Sequence, residues 1–132
     1  MAVHHIDWRP DHLFWGYFDA KTQAVRTVES GDEVILDCLP ACRPVDLPED
    51  GAGVLPGHVA AMEAHAATQG PTPHMMTGPI HVRGAVPGDV LQVDILEVTP
   101  VQSWGFTSII PLRGALPDEF PTRERMRVAI DL

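Results

Sequence analysis

The feature that most limits the fold of this chain is its density of helix breakers: thirteen prolines and eleven glycines are spread through 132 residues. A proline inside a helix removes a hydrogen bond and clashes with the preceding turn, and glycine is entropically costly there, so few stretches are long enough for three helical turns. The one helix the sequence predicts covers 58–67, where alanines favour helix but supply little apolar surface. Elsewhere the apolar residues alternate. Residues 90–98 place Leu91, Val93 and Ile95 on one side and Gln92 and Asp94 on the other, the clearest period-two signal in the chain. A turn at Pro87, Gly88 and Asp89 predicts an antiparallel hairpin between this run and 79–85. Residues 24–28 and 33–39 read as strand, turn, strand about Ser30, Gly31 and Asp32, while 106–110 and 126–132 are further strand-like runs. The region between Pro40 and Gly57 reads as a long loop. The expected fold is therefore all-β, a sandwich or barrel of short antiparallel strands with long Pro/Gly-rich loops and at most one short helix. With 45% hydrophobic and 20% charged residues, 1–132 should form a single folded β domain.

Eighteen acidic residues oppose nine basic ones for a formal charge of -9, which repels polyphosphates and sets nucleic acid aside as a partner. No run approaches the roughly 18 apolar residues of a membrane span, and the N-terminus has no basic segment followed by an apolar one, so the expectation is a cytoplasmic protein without a membrane partner. Cys38 and Cys42 are then expected as reduced thiols. Their spacing suits two metal-ligating thiolates, but a zinc site takes about four ligands and no second cysteine pair follows; a turn with two half-buried thiols is the plainer reading.

Three stretches carry a resemblance. FWGYFDA at 14–20 is followed after a spacer by VESGDEV at 28–34; HMMTGPIHVRGAVPGDVL occupies 74–91; and WGFTSIIP occupies 104–111. Together they resemble the acetamidase/formamidase family. The middle stretch is the specific one, because it fixes about eleven positions over eighteen residues with two Pro/Gly turns at set distances. Residues 40–73 match nothing in the family pattern, and His81 stands where members often carry tyrosine. The resemblance implies hydrolysis of a small linear amide of the formamide or acetamide type to a carboxylate and ammonia. It also implies that this chain corresponds to the N-terminal half of such an enzyme, with catalytic and metal-binding groups partly in a C-terminal half.

The candidate site residues follow from the motif. His74 heads the TGP turn, where a neutral imidazole can bind a metal or polarise an amide carbonyl, or can simply hydrogen-bond its own turn. Thr77 and Gly78 could present a hydroxyl and an N–H to a developing oxyanion, although a Gly-Pro step also merely redirects the chain. His12, beside Trp15, is the second candidate metal ligand with His74; the alternative is a solvated terminal histidine. Trp104 is a candidate substrate-pocket wall or a core residue. Asp32 and Asp89 read as turn-capping residues, and the pair His58/His65 lacks a third ligand. No serine elbow is present, so metal-activated water, with zinc as the foremost ion, is the expected route, together with an acid that protonates the leaving nitrogen. The expected partners are a small amide and either a complementary C-terminal-half chain or further copies of this one, since the final strand-like run 126–132 reads as an edge seeking a partner. The alternative is a non-catalytic β-module for ligand binding or assembly.

Overall fold

The computed structural model describes residues 1–68 and 74–132. The chain falls into two compact units, Met1–Val93 and Asp94–Leu132. As expected, the described residues are mostly β with one short α-helix. The first unit holds β1 (Val3–Ile6), β2 (Leu13–Trp15), β3 (Arg26–Val28), β4 (Glu33–Leu36), α1 (His58–His65), β5 (Met75–Thr77) and β6 (Ile80–Val82). The second holds β7 (Trp104–Ile109) and β8 (Glu124–Ala129). Among the described residues no helix is long and apolar enough to cross a membrane.

Among the described residues the strands form four two-stranded ladders: β1 with β4 and β3 with β6 are parallel, β2 with β5 and β7 with β8 antiparallel. Parallel pairing in two of them departs from the all-antiparallel expectation. The turn at Ser30, Gly31 and Asp32 exists, with Gly31 at φ 88°, but its two strands pair with other partners. Likewise β6 lies beside β3, and Val25 N–H to Pro79 O (2.9 Å) and Arg83 N–H to Val28 O (2.8 Å) lengthen that ladder at both ends.

The expected hairpin between 79–85 and 90–98 is not formed. Its turn is closed locally, Val86 N–H donating to Asp89 Oδ2 and Asp89 N–H to Val86 O. Residues 90–98 contain no strand, and Val90, Leu91, Val93, Ile95, Leu96 and Val98 are exposed. Alternation fixes which side chains share a face, whereas the partner of a strand is set by tertiary contacts.

The core of the first unit gathers Ile6, Leu13, Trp15, Leu39, Met62 and Met75, all buried. In α1 the buried residues are His58, Ala61 and Met62, the i, i+3, i+4 spacing of one helix face. Gly57 precedes the helix at φ 78°, a conformation that costs a residue with a Cβ. A short 3₁₀ turn over Ala66–Thr68 takes over where the helix was expected to continue.

Asp32 ties the N-terminus to this unit. Its carboxylate accepts from Ala2 N–H (2.7 Å), His4 Nε2 (3.0 Å) and Glu29 N–H (3.1 Å). The bond from Ala2, followed by those from His4 and Glu29, holds its pKa well below the ordinary 3.8. A depressed carboxylate pKa adds stability above the unfolded-state value and loses it as pH falls through the folded one. Asp32→Asn should therefore lower the melting temperature at pH 7 and flatten the decline in stability below about pH 4. Thermal melts from pH 7 to pH 2 check this, and parallel curves for the two proteins would refute it.

In the second unit β7 and β8 pair over six residues each, from Trp104↔Ala129 to Ile109↔Glu124. Arg127 lies 4.7 Å over the Trp104 ring and Arg125 5.9 Å over Phe106, diagonal cross-strand pairs that join cation–π attraction to packing. The final strand-like run, expected as an edge seeking a partner, is thus paired with β7 along one side.

Candidate functional site

The sequence DWRPDH at 7–12 folds into the most organised polar cluster of the first unit. Pro10, at the first position of a 3₁₀ turn over Pro10–His12, presets the backbone, and the turn brings Asp7 and Arg9 onto the ring of His12. Arg9 Nη2 lies 2.7 Å and Arg9 Nε 3.1 Å from His12 Nε2. Arginine has donors only, so Nε2 must accept and the ring proton resides on Nδ1. That proton faces Asp7 Oδ1 at 2.7 Å and the Asp7 carbonyl at 3.2 Å. Burial acts to raise the Asp7 pKa, but the His12 hydrogen bond and the charge of Arg9 outweigh it and hold the carboxyl below its usual range. The result is a carboxylate-backed, buried imidazole with its tautomer fixed. The Nε2 lone pair, the atom through which such a ring acts as a base or a metal ligand, is taken up by Arg9, which is 55% exposed and also paired with Asp11.

The β2/β5 ladder carries the other candidates. Thr77 lies opposite Leu13, and its hydroxyl donates to Asp37 O at 2.7 Å. Gly78 N–H donates to His12 O at 2.9 Å. Both donors expected to face an oxyanion are thus engaged in holding strands together. Asp37 also accepts from His5 Nε2 at 2.9 Å and gives its N–H to Ile6 O at 3.0 Å. At the other end of the ladder, His74 O accepts from Gly16 N–H at 2.9 Å and the His74 side chain is exposed. His12 and His74 therefore flank opposite ends, four ladder positions or roughly 13 Å apart, and the ladder does not bring them together. Trp104 belongs to the second unit, buried in its hairpin beneath Arg127.

The residues that sequence reasoning missed are Asp7 and Arg9. Their signal was local: a proline-initiated turn with an acid five residues and an arginine three residues before a histidine. Among the described residues no three His, Cys, Asp or Glu side chains converge as a metal site, so this chain alone does not fit a catalytic zinc, which takes three protein ligands.

The family model for the acetamidase/formamidase family matches residues 17–131, a span that includes His74, Thr77, Gly78 and Trp104 and begins after the Asp7–His12 cluster. The chain is 30% identical over 129 residues to an acetamidase of Mycolicibacterium smegmatis, covering 89% of this chain and 27% of that protein. It is 43% identical over 53 residues to a formamidase of Methylophilus methylotrophus, covering 36% of this chain and 13% of that protein. No solved structure matches. The chain spans about a quarter of the length of the acetamidase it matches, a smaller share than the half first expected. A match over 17–131, most of the sequence, shows that this chain belongs to the acetamidase/formamidase family.

Proposed function

We propose that this chain is part of a hydrolase that cleaves the C–N bond of small linear amides, of the formamide or acetamide type, releasing a carboxylate and ammonia. The observation that carries the reading is the family match over 17–131, which includes the TGP and PGD turns of 74–91. An amide is a poor electrophile with a poor leaving group, so its hydrolysis needs a positioned base or metal-bound nucleophile and an acid for the departing nitrogen. Within this chain His12, backed by Asp7, is the group suited to one of those tasks. In the same reading His74 and Thr77 are catalytic candidates and Gly78 a substrate-binding one; Trp104, in the second unit, is a candidate substrate-binding residue by its place in the family motif.

The remaining groups come from further polypeptide, either a complementary chain carrying the rest of the family sequence or other copies of this one. A divalent ion, zinc foremost, enters the reading only as a group whose ligand set is completed there. The exposed apolar run 90–98 is the surface in this chain best patterned to take up such a partner as an added strand. The second reading, a non-catalytic β-module, is favoured by the engagement of the Thr77 and Gly78 donors within the ladder.

Ammonia release from formamide and acetamide tests the proposal. The purified 132-residue chain with added Zn²⁺ should stay at the buffer rate, and turnover should appear when the rest of a family sequence is supplied on the same or a second chain. Chelator-sensitive turnover by the chain alone would overturn the need for completion. Continued inactivity of the completed protein would favour the module.

A further inference from the structure

We infer that the second unit carries a binding pocket for a small aliphatic monocarboxylate, its alkyl chain held by Ile109, Ile110, Leu116 and Phe120 and its carboxylate by Arg113. The pocket belongs to the second unit alone, and the inference does not rest on the amidase reading. It is a cavity of about 330 Å³ at the end of β7, lined by these residues together with Ser108. That volume lies at the lower end of the range for small-molecule sites, which are mostly apolar with a few polar groups that fix orientation.

Two turns build the pocket. In the first, Pro111 follows Ile110 and Arg113 N–H donates to Ile110 O at 3.1 Å, which returns the chain beside β7 and sets Arg113 on the cavity wall. This turn holds Leu112 at φ 62° with its side chain 77% exposed. The conformation favours glycine, and an exposed leucine gains little packing in return. In the second turn Glu119 N–H donates to Leu116 O at 3.3 Å, and Leu116 and Phe120 on either side of it both face the cavity. They are 51% and 44% exposed, apolar surface that an alkyl chain would remove from water.

Arg113 sets the class of ligand. Among the described residues it is the one charged side chain lining the cavity, and no carboxylate of the chain pairs with it. A guanidinium has donors only, in a planar fork that meets both oxygens of a carboxylate through two parallel N–H bonds. A primary amide offers that fork a single acceptor oxygen, and an ammonium offers none. Asp118 and Glu119 lie in the second turn but do not line the cavity. Their charges, and the formal -9 of the whole chain, oppose a polyanion far more than a ligand with one negative charge. A single carboxylate on an alkyl chain therefore matches both the cation and the apolar wall.

The full chain, ¹³C-labelled at its isoleucine δ1 methyls, is titrated by NMR with acetate, butyrate and hexanoate at constant pH and ionic strength. Hexanoate should shift the Ile109 and Ile110 methyls saturably, while those of Ile6 and Ile35 in the first unit stay in place. Affinity should rise from acetate to hexanoate by up to about fourfold for each CH₂ buried. Hexanamide, of the same shape without the charge, should bind about tenfold or more weakly, and Arg113→Gln, at an exposed position, should weaken hexanoate by a similar factor. The inference is overturned if Ile109 and Ile110 show no saturable shift, or if Ile6 and Ile35 shift as much. It is overturned equally if hexanamide binds the unaltered chain as tightly as hexanoate, or if Arg113→Gln leaves hexanoate binding unchanged.

Discussion

Ile6→Ala is expected to destabilise the first unit by about 2–5 kcal/mol, the range for emptying a fully buried aliphatic site. Ile6 has no exposed surface and is among the largest fully buried side chains of the chain. It ends β1 opposite Leu36, and its carbonyl accepts the Asp37 N–H at 3.0 Å. The backbone there is pinned, so it cannot collapse freely into the space that the lost carbons leave. The core around it is small, and a domain of this size holds only about 5–15 kcal/mol in all. Losing one such residue should move the urea midpoint far enough to leave part of the population unfolded at 25 °C. Val3→Ala on the same strand, where the side chain is 60% exposed, should stay within about 0.5 kcal/mol. Equal midpoints for the two variants in urea titrations would show that Ile6 is not the packing centre described.

What the sequence made legible, and what it hid, divides along the range of the interactions involved. The helix near His58, the strands near 26–28, 33–36, 80–82 and 104–109, and the turns at Gly31 and Gly88 could all be read, because alternation, alanine content and Pro/Gly punctuation act over a few residues. Pairing could not. Nothing local to Ile80 or Val82 says that their partner is the strand at Arg26–Val28, some fifty residues back, and not the alternating run that follows immediately. The same limit governs the polar clusters. His12 stood out as a candidate, yet Asp7 and Arg9 did not, because their meeting with the ring depends on how the Pro10 turn curls. Cys42 and His58, sixteen residues apart, meet only once α1 is docked. The family motif, by contrast, was readable at once because it is a contiguous string.

In a complete amidase containing this segment, His12→Ala should lower kcat by about 10²–10⁴-fold, the usual cost of losing a positioned general base or acid. Arg9 can only donate to Nε2, at 2.7 Å, which leaves the Nδ1 proton to Asp7 at 2.7 Å. The ring is therefore held in one tautomer, with its lone pair on the side away from the carboxylate. If that lone pair takes a proton during turnover, the cation formed lies against the Asp7 carboxylate, which stabilises it. Asp7→Asn can still accept from Nδ1 and keep the tautomer, but it removes the charge. It should act as a positioning variant and cost about 10–100-fold, the range for residues that orient a functional histidine. The loss should fall on kcat with KM little changed, because neither residue is assigned to hold substrate in the ground state. A merely structural role would instead lower the melting temperature while leaving kcat per folded molecule intact. Steady-state ammonia release and thermal melts on the same preparations separate the two cases, and wild-type kcat in folded His12→Ala would remove His12 from the chemistry.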